Sequence, residues 1–135
     1  MLFRSIFLMN VLEHIYNYQN CLKNCYSFLS KGGFFFGSTP FMFRIHPSPN
    51  DYHRYTEQSL RKSLESAEFK NIKIEILTGG IGICFYSSIF YITKKIPLIN
   101  NVLLLLFSII DEFINIFSKN YKKIMPLGYF FSAKK

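Results

Sequence analysis

The chain opens on an apolar run, Ser5-Ile6-Phe7-Leu8-Met9-Asn10, closed by a polar residue, which is how a buried parallel strand reads. Behind it Val11, Ile15, Tyr18, Leu22, Cys25 and Leu29 recur every three or four positions and predict one amphipathic helix. Lys31-Gly32-Gly33 suits the end of that helix, since glycine accepts left-handed backbone and a lysine complements the negative end of the dipole. Phe34-Phe35-Phe36-Gly37-Ser38 then predicts a second buried strand, stopped by Pro40. Thr56 is placed to cap a helix with Glu57 in its first turn, and Leu60, Leu64 and Ala67 supply the buried stripe. Ile72, Ile74 and Ile76 alternate with Lys73 and Glu75, a half-buried strand, before Thr78-Gly79-Gly80 turns the chain away. Strand, helix, strand, helix, strand is the order of an α/β fold with βαβ units.

From Ile81 to Phe117 apolar runs dominate, interrupted by Lys94-Lys95, Pro97 and Asn100-Asn101. The longest, Val102 to Ile110, holds only Ser108 as a polar member and meets Asp111-Glu112, well short of the roughly 18 to 20 apolar residues of a spanning helix. Two hydrophobic helices near 81–93 and 98–117 are expected instead. The basic segment Lys119 to Lys123 follows, so peripheral membrane contact through 81–118 is an expectation. Tyr129 to Ala133 reads as a last short strand, and no internal repeat or low-complexity linker interrupts the chain.

A chain of 135 residues is one domain at most, and with half its residues hydrophobic it is not disordered. The net charge of +8 favours acidic partners. The lysines and arginines are dispersed, however, and no helix-turn-helix, zinc-finger or RRM pattern accompanies them, so nucleic acid is not expected as a partner. Cys21, Cys25 and Cys84 form no CxxC pair, and the histidines show no HExxH-like spacing, so no metal site is expected. The opening Met1 to Arg4 lacks a signal-peptide pattern, and reduced thiols in the cytoplasm are the expectation, with the protein peripheral to the membrane where its apolar helices contact it.

One loop stands apart. His46-Pro47-Ser48-Pro49-Asn50-Asp51-Tyr52-His53-Arg54-Tyr55-Thr56 gathers two imidazoles, a carboxylate, a guanidinium and two phenols on a backbone stiffened by two prolines. Surface turns favour small polar residues, so this composition points to a binding site. His46 and Asp51 are the candidates for a base or a substrate contact. Arg54 suits an anionic group, and Tyr52 and Tyr55 suit stacking on a sugar or shaping a pocket. The plainer alternative is an internal Asp51–Arg54 ion pair that fixes the loop. His53 alternates away from the others and is expected to be exposed.

Taken in order, these landmarks resemble the C-terminal half of a class I S-adenosylmethionine-dependent methyltransferase of the type 11/23-like branch. Asn10-Val11-Leu12-Glu13-His14 resembles the Leu-Glu-His signature after that family's fourth strand. Leu29-Ser30-Lys31-Gly32-Gly33 resembles the L-K-P-G-G turn before the fifth, with Ser30 inserted and no proline. Phe36-Gly37-Ser38-Thr39-Pro40-Phe41 resembles the strand end that follows, His46 to Thr56 an H-x-x-P-x-D-Y-x-R-Y-T block, and Ala67-Glu68-Phe69 the usual Ala-Gly-Phe.

The resemblance implies an α/β fold, a partial Rossmann-like methyltransferase sheet of family strands 4-5-7-6, with flanking helices. It implies a single partial domain over 1–135, in which 1–80 and 121–135 form the sheet and 81–120 is a hydrophobic helical insertion. Methyl transfer from S-adenosylmethionine to a small-molecule or glycan acceptor is the implied activity. Asn10, Leu12, Glu13 and His14 would stand on the cofactor side. His46 and Asp51 would be catalytic, and Tyr52, Arg54 and Tyr55 would contact substrate. The family's glycine-rich E/D-x-G-x-G-x-G loop finds no counterpart, because Gly79-Gly80-Ile81-Gly82 follows a strand at the wrong end of the order. Activity of this chain alone is therefore not expected. A complementary N-terminal half is an expected partner, pairing with the bare apolar edge of the first strand. The alternative is a non-catalytic substrate- or partner-binding fragment at the membrane surface.

Overall fold

A computed structural model describes residues 2–118 and 120–135. Lys119, the first residue of the basic segment, and Met1 lie outside them. The elements run β1 (Phe3–Met9), a 3-10 turn (Leu12–His14), α1 (Tyr18–Phe28), β2 (Leu29–Pro40), α2 (Glu57–Ser66), β3 (Lys70–Gly79), α3 (Ile81–Thr93), α4 (Pro97–Phe117), α5 (Tyr121–Ile124) and β4 (Pro126–Lys134). The four strands form one sheet in the order β1-β2-β4-β3, which is the expected 4-5-7-6 order under this chain's own numbering. β1 runs parallel to β2. Gly32 N–H donates to the Lys135 carbonyl and Lys135 N–H to the Gly33 carbonyl, so the start of β2 meets the end of β4 and that pair is antiparallel.

The chain divides into two compact units. The first comprises Met1–Phe41, Ile45–Glu75 and Tyr129–Lys135. Its core is Leu12, Leu22, Leu29, Phe35, Leu60, Leu64, Phe69 and Phe131, all essentially inaccessible to solvent. Phe35 anchors it, stacked on Phe69 at 5.0 Å and edge-on to Phe131 at 5.2 Å between ring centroids. β1 stands at the outer edge of the sheet order, and its Phe7 is 66% exposed although it stacks on Phe36. That is the bare apolar edge the strand pattern implied.

Two boundaries differ from the sequence reading. The helix does not begin at Val11: Leu12–His14 forms a 3-10 turn, and α1 starts only after Asn17, whose side chain accepts from Asn20 N–H as an N-cap. The Glu13 carbonyl, which a continuous helix would use internally, instead accepts from Tyr52 and His53 N–H at 2.8 and 3.3 Å. Nor does Gly32-Gly33 end the helix. The strand already begins at Leu29, and Ser30 to Gly33 bulge between the Phe3–Leu29 and Ser5–Phe34 pairs, with Gly32 at φ +76°. Thr56 does cap α2, accepting from Ser59 N–H at 3.1 Å.

The second unit comprises Met42–Arg44 and Ile76–Gly128, with α3 and α4 antiparallel neighbours in sequence joined by a short turn. Both hydrophobic helices form where the pattern placed them. α4 is longer than its apolar run, because the helix continues through Asn100-Asn101 and Asp111-Glu112. Asn100 is absorbed by accepting from the Tyr86 hydroxyl at 3.0 Å and the Thr93 hydroxyl at 2.9 Å. At 21 residues, with a mean hydropathy of 1.7 over 18 of them, α4 is long and apolar enough to cross a membrane, which corrects the expectation drawn from Val102 to Ile110 alone. Asp111 points inward. Its carboxylate accepts from Gly82 and Ile83 N–H at 2.9 and 2.7 Å, capping the start of α3, and from the Tyr121 hydroxyl at 2.7 Å.

Candidate functional site

Parallel pairing of β1 and β2 sets their carboxyl ends side by side. From one end leaves Asn10 with the Leu12–His14 turn, and from the other the loop that carries His46 to Tyr55. Asn10 makes the first turn by adopting left-handed backbone at φ +51°, a conformation asparagine tolerates better than most residues. It is pinned to β2: its N–H donates to the Ser38 carbonyl at 3.0 Å, and the Ser38 hydroxyl donates to its side-chain oxygen at 2.9 Å. The two motifs then interlock. Tyr52 and His53 N–H meet the Glu13 carbonyl, and the Tyr55 hydroxyl donates to the Leu12 carbonyl at 3.2 Å.

Asp51 organises the loop from within. Its carboxylate, 2% exposed, accepts both guanidinium nitrogens of Arg54 and the His46 backbone N–H at 3.0 Å. The Arg54 guanidinium holds the Asp51 carboxyl well below the usual carboxylate range, against the opposing effect of burial. Arg54 also donates to the His53 carbonyl at 2.8 Å. The internal ion pair is therefore the arrangement found, with Arg54 forked onto Asp51 rather than turned to an outside anion, and Asp51 engaged rather than poised as a base.

The remaining candidates separate by exposure. Tyr55 is 3% exposed, its hydroxyl used and its pKa raised chiefly by burial, so its ring packs inside the loop. Tyr52 stays 46% exposed and lies edge-on to Tyr16 at 5.4 Å. His53, expected to be exposed, is half-buried against Tyr18 and Tyr55, with its Nε2 3.1 Å from the Tyr16 carbonyl. Of the four residues expected to stand on the cofactor side, Leu12 and Glu13 are fully buried, which leaves Asn10 and the half-buried His14 near the surface.

What the sequence reading missed is the meeting of Glu13, His14 and His46. His14 Nε2 and His46 Nε2 lie 3.7 and 3.6 Å from Glu13 Oε1, and neither oxygen of this fully buried carboxylate accepts a hydrogen bond. Histidine spacing could not reveal it, because the three residues come from two loops that lie more than 30 positions apart in sequence and meet only in the fold.

No family model matches the chain, and no curated protein does. Solved structures do. An S-adenosylmethionine-dependent methyltransferase from Archaeoglobus fulgidus aligns with a TM-score of 0.60 at 17% identity, over 99% of this chain and 60% of its own. Phosphoethanolamine N-methyltransferase 2 from Haemonchus contortus, bound to phosphomonomethylethanolamine and S-adenosylhomocysteine, aligns at 0.57 and 14% identity, over 98% of this chain and 33% of its own. The [4+2]-cyclase SpnF aligns at 0.55 and 14%, over 99% of this chain and 50% of its own, a case of different chemistry on one scaffold. The chain thus spans between a third and three fifths of the length of these structures. In strand order and in its structural alignment with these enzymes, this protein has the fold of the class I S-adenosylmethionine-dependent methyltransferases.

Proposed function

We propose that this chain supplies the acceptor-side portion of an S-adenosylmethionine-dependent methyltransferase, with the cofactor cradle contributed by polypeptide outside these residues. The observation that carries this reading is the interlock of the Leu12–His14 turn with the His46 to Tyr55 loop at the carboxyl ends of two parallel neighbours, where open α/β sheets bind ligands. S-adenosylmethionine, when bound, supplies an electrophilic methyl group. What this chain supplies is alignment of an acceptor and exclusion of water. Exposed Tyr52 offers a stacking face to a small-molecule or glycan acceptor, and partly exposed His46, held by Asp51, is a candidate to contact it. The exposed apolar edge of β1 is the surface for the missing portion.

Calorimetry tests this directly. S-adenosylhomocysteine titrated into the purified chain should give no binding heat, and binding should appear when a polypeptide carrying the glycine-rich loop is added. Micromolar binding by the chain alone would overturn the division of labour. A second reading rests on α4: only 6% of its apolar window is buried, so attachment to a lipid surface, with or without catalysis, is the alternative. Co-sedimentation with anionic phosphatidylserine vesicles that vanished in a Leu105→Glu, Ile109→Glu variant would favour it, and absence of the chain from the vesicle pellet would remove it.

A further inference from the structure

We propose that Glu13, His14 and His46 bind a divalent first-row transition-metal ion of the zinc type. Three observations converge. The first is placement: one donor atom from each residue falls within 4.8 Å of the other two. The second is the state of Glu13. Its side chain has no solvent exposure, and both its oxygens lack a hydrogen-bond donor. A buried carboxylate is tolerated when paired or bound to a metal, and strongly disfavoured otherwise.

The third observation is the orientation of the two imidazoles. His14 Nδ1 contacts the Asn50 carbonyl, which can only accept, so that nitrogen carries the proton. His46 Nδ1 lies 3.3 Å from Asp51 Oδ2, a carboxylate already ion-paired with Arg54, so its proton belongs there too. Each ring then turns an Nε2 lone pair toward Glu13 Oε1. Three acceptors facing one another at 3.6 and 3.7 Å favour a positive centre among them, in addition to the Arg54 guanidinium whose charge also acts on Glu13. The carbonyl behind His14 and the carboxylate behind His46 are the outer-shell partners that metal-binding histidines commonly have.

Donor chemistry selects the ion. Two imidazoles and one carboxylate suit Zn²⁺, Co²⁺, Ni²⁺ or Fe²⁺, whereas Mg²⁺ and Ca²⁺ favour all-oxygen sets. Tetrahedral bonds of about 2.0–2.1 Å bring donors to about 3.3 Å apart; the two Glu13–histidine distances need a closure of a few tenths of an ångström, and the two imidazoles, within 4.8 Å of each other, must swing together on binding. His14 and His46 are partly exposed, at 15% and 29% for their side chains, so the remaining coordination positions face solvent. The competing arrangement is protonation: imidazolium rings would hold Glu13 as ion pairs with no metal.

The experiment is a titration of the chelator-treated full chain with Co²⁺ alone, followed by visible absorption, with Zn²⁺ calorimetry in parallel. One ion per chain is expected, without the intense thiolate charge-transfer band that Cys21 and Cys25 would give. Asp51→Asn should weaken binding about 10- to 100-fold as an outer-shell change, and Glu13→Gln and His46→Ala should weaken it further. Because those variants perturb a packed turn, nitrogen NMR of the unaltered protein provides the second readout: Zn²⁺ should shift the Nε2 signals of His14 and His46 and leave His53 in place. No Co²⁺ uptake, uptake abolished by Cys21→Ser, Cys25→Ser, or unmoved His14 and His46 signals would each overturn the site. Failure of cofactor binding in the calorimetric test above would leave these results untouched.

Discussion

The Tyr55 hydroxyl donates to the Leu12 carbonyl across 43 residues of sequence, and through that bond the loop after β2 is fastened to the turn after β1. Both groups are buried, so the bond has no water to replace it. Tyr55→Phe keeps the ring but leaves the Leu12 carbonyl only the Ile15 N–H at 3.3 Å, a loss of one buried hydrogen bond worth about 0.5–1.5 kcal/mol. Urea denaturation should show the midpoint falling with an unchanged slope. Tyr52→Ala, on the exposed side of the same loop, should leave the midpoint near the wild-type value, and equal losses from the two would contradict the roles assigned to them.

Arg54 is the other fastening. Its fork onto Asp51 satisfies a carboxylate that is almost wholly buried. Removing only the cation leaves that charge uncompensated, so Arg54→Met should cost about 3–5 kcal/mol. Arg54→Lys restores charge but not the planar fork and should recover part of the loss. Full recovery by lysine would mean that charge alone matters here.

In the second unit, Gly80 and Asp111 form a lock. Gly80 has φ +127°, and a Cβ built there would sit 2.4 Å from the Asp111 carboxyl carbon. Gly80→Ala therefore meets both backbone strain and a collision with a side chain fixed by three donors. Asp111→Ala strands Gly82 and Ile83 N–H and the Tyr121 hydroxyl. Each should destabilise strongly. The double variant should lose less than the sum, because the collision disappears with the carboxylate. Additive losses in a thermal melt would refute the coupling.

Much of this architecture was legible from periodicity. Strand alternation at Ile72, Ile74 and Ile76, the Thr56 cap and the two apolar helices all follow from local rules, and the structure keeps them. The failures are tertiary. Val11 to Tyr18 has helical spacing, yet the loop's N–H groups claim the Glu13 carbonyl and break the helix there. Asp111 reads as the polar end of an apolar run but is a buried cap, since nothing local marks a carboxylate that serves another helix. The candidate loop was found by composition. Which of its residues face outward depended on long-range bonds, and these turned Tyr55 and Arg54 inward and left Tyr52 outside.

Tyrosine burial sets the alkaline behaviour. The pKa values of Tyr121 and Tyr129 are raised above the ordinary value, first by desolvation and, for Tyr121, by its hydrogen bond to Asp111. A raised folded pKa favours the protonated folded state. Its stabilising effect is complete below the unfolded value of about 10 and is lost as pH rises through the folded value. Denaturation midpoints should therefore fall with increasing pH above about 10, and Tyr121→Phe should flatten that slope. A slope of the opposite sign would contradict the burial of these rings.

Cys21 and Cys25, four residues apart on α1, give a final test. A hydrogen bond from the Cys25 thiol, four residues on, would hold the Cys21 pKa down at about 7, against the effect of burial, with Cys25 itself pushed up. At neutral pH Cys21 is thus partly thiolate, the form that reacts. Iodoacetamide at pH 7 should label Cys21 first, with Cys25 slow and Cys84 protected by burial, which also raises its pKa. Cys25→Ala removes the donor and returns Cys21 toward its ordinary value, lowering its labelling rate at pH 7 roughly tenfold. Peptide mapping by mass spectrometry across pH 6 to 9 reads both the order and the midpoint, and equal rates at Cys21 and Cys25 throughout would show that no such hydrogen bond acidifies the first thiol.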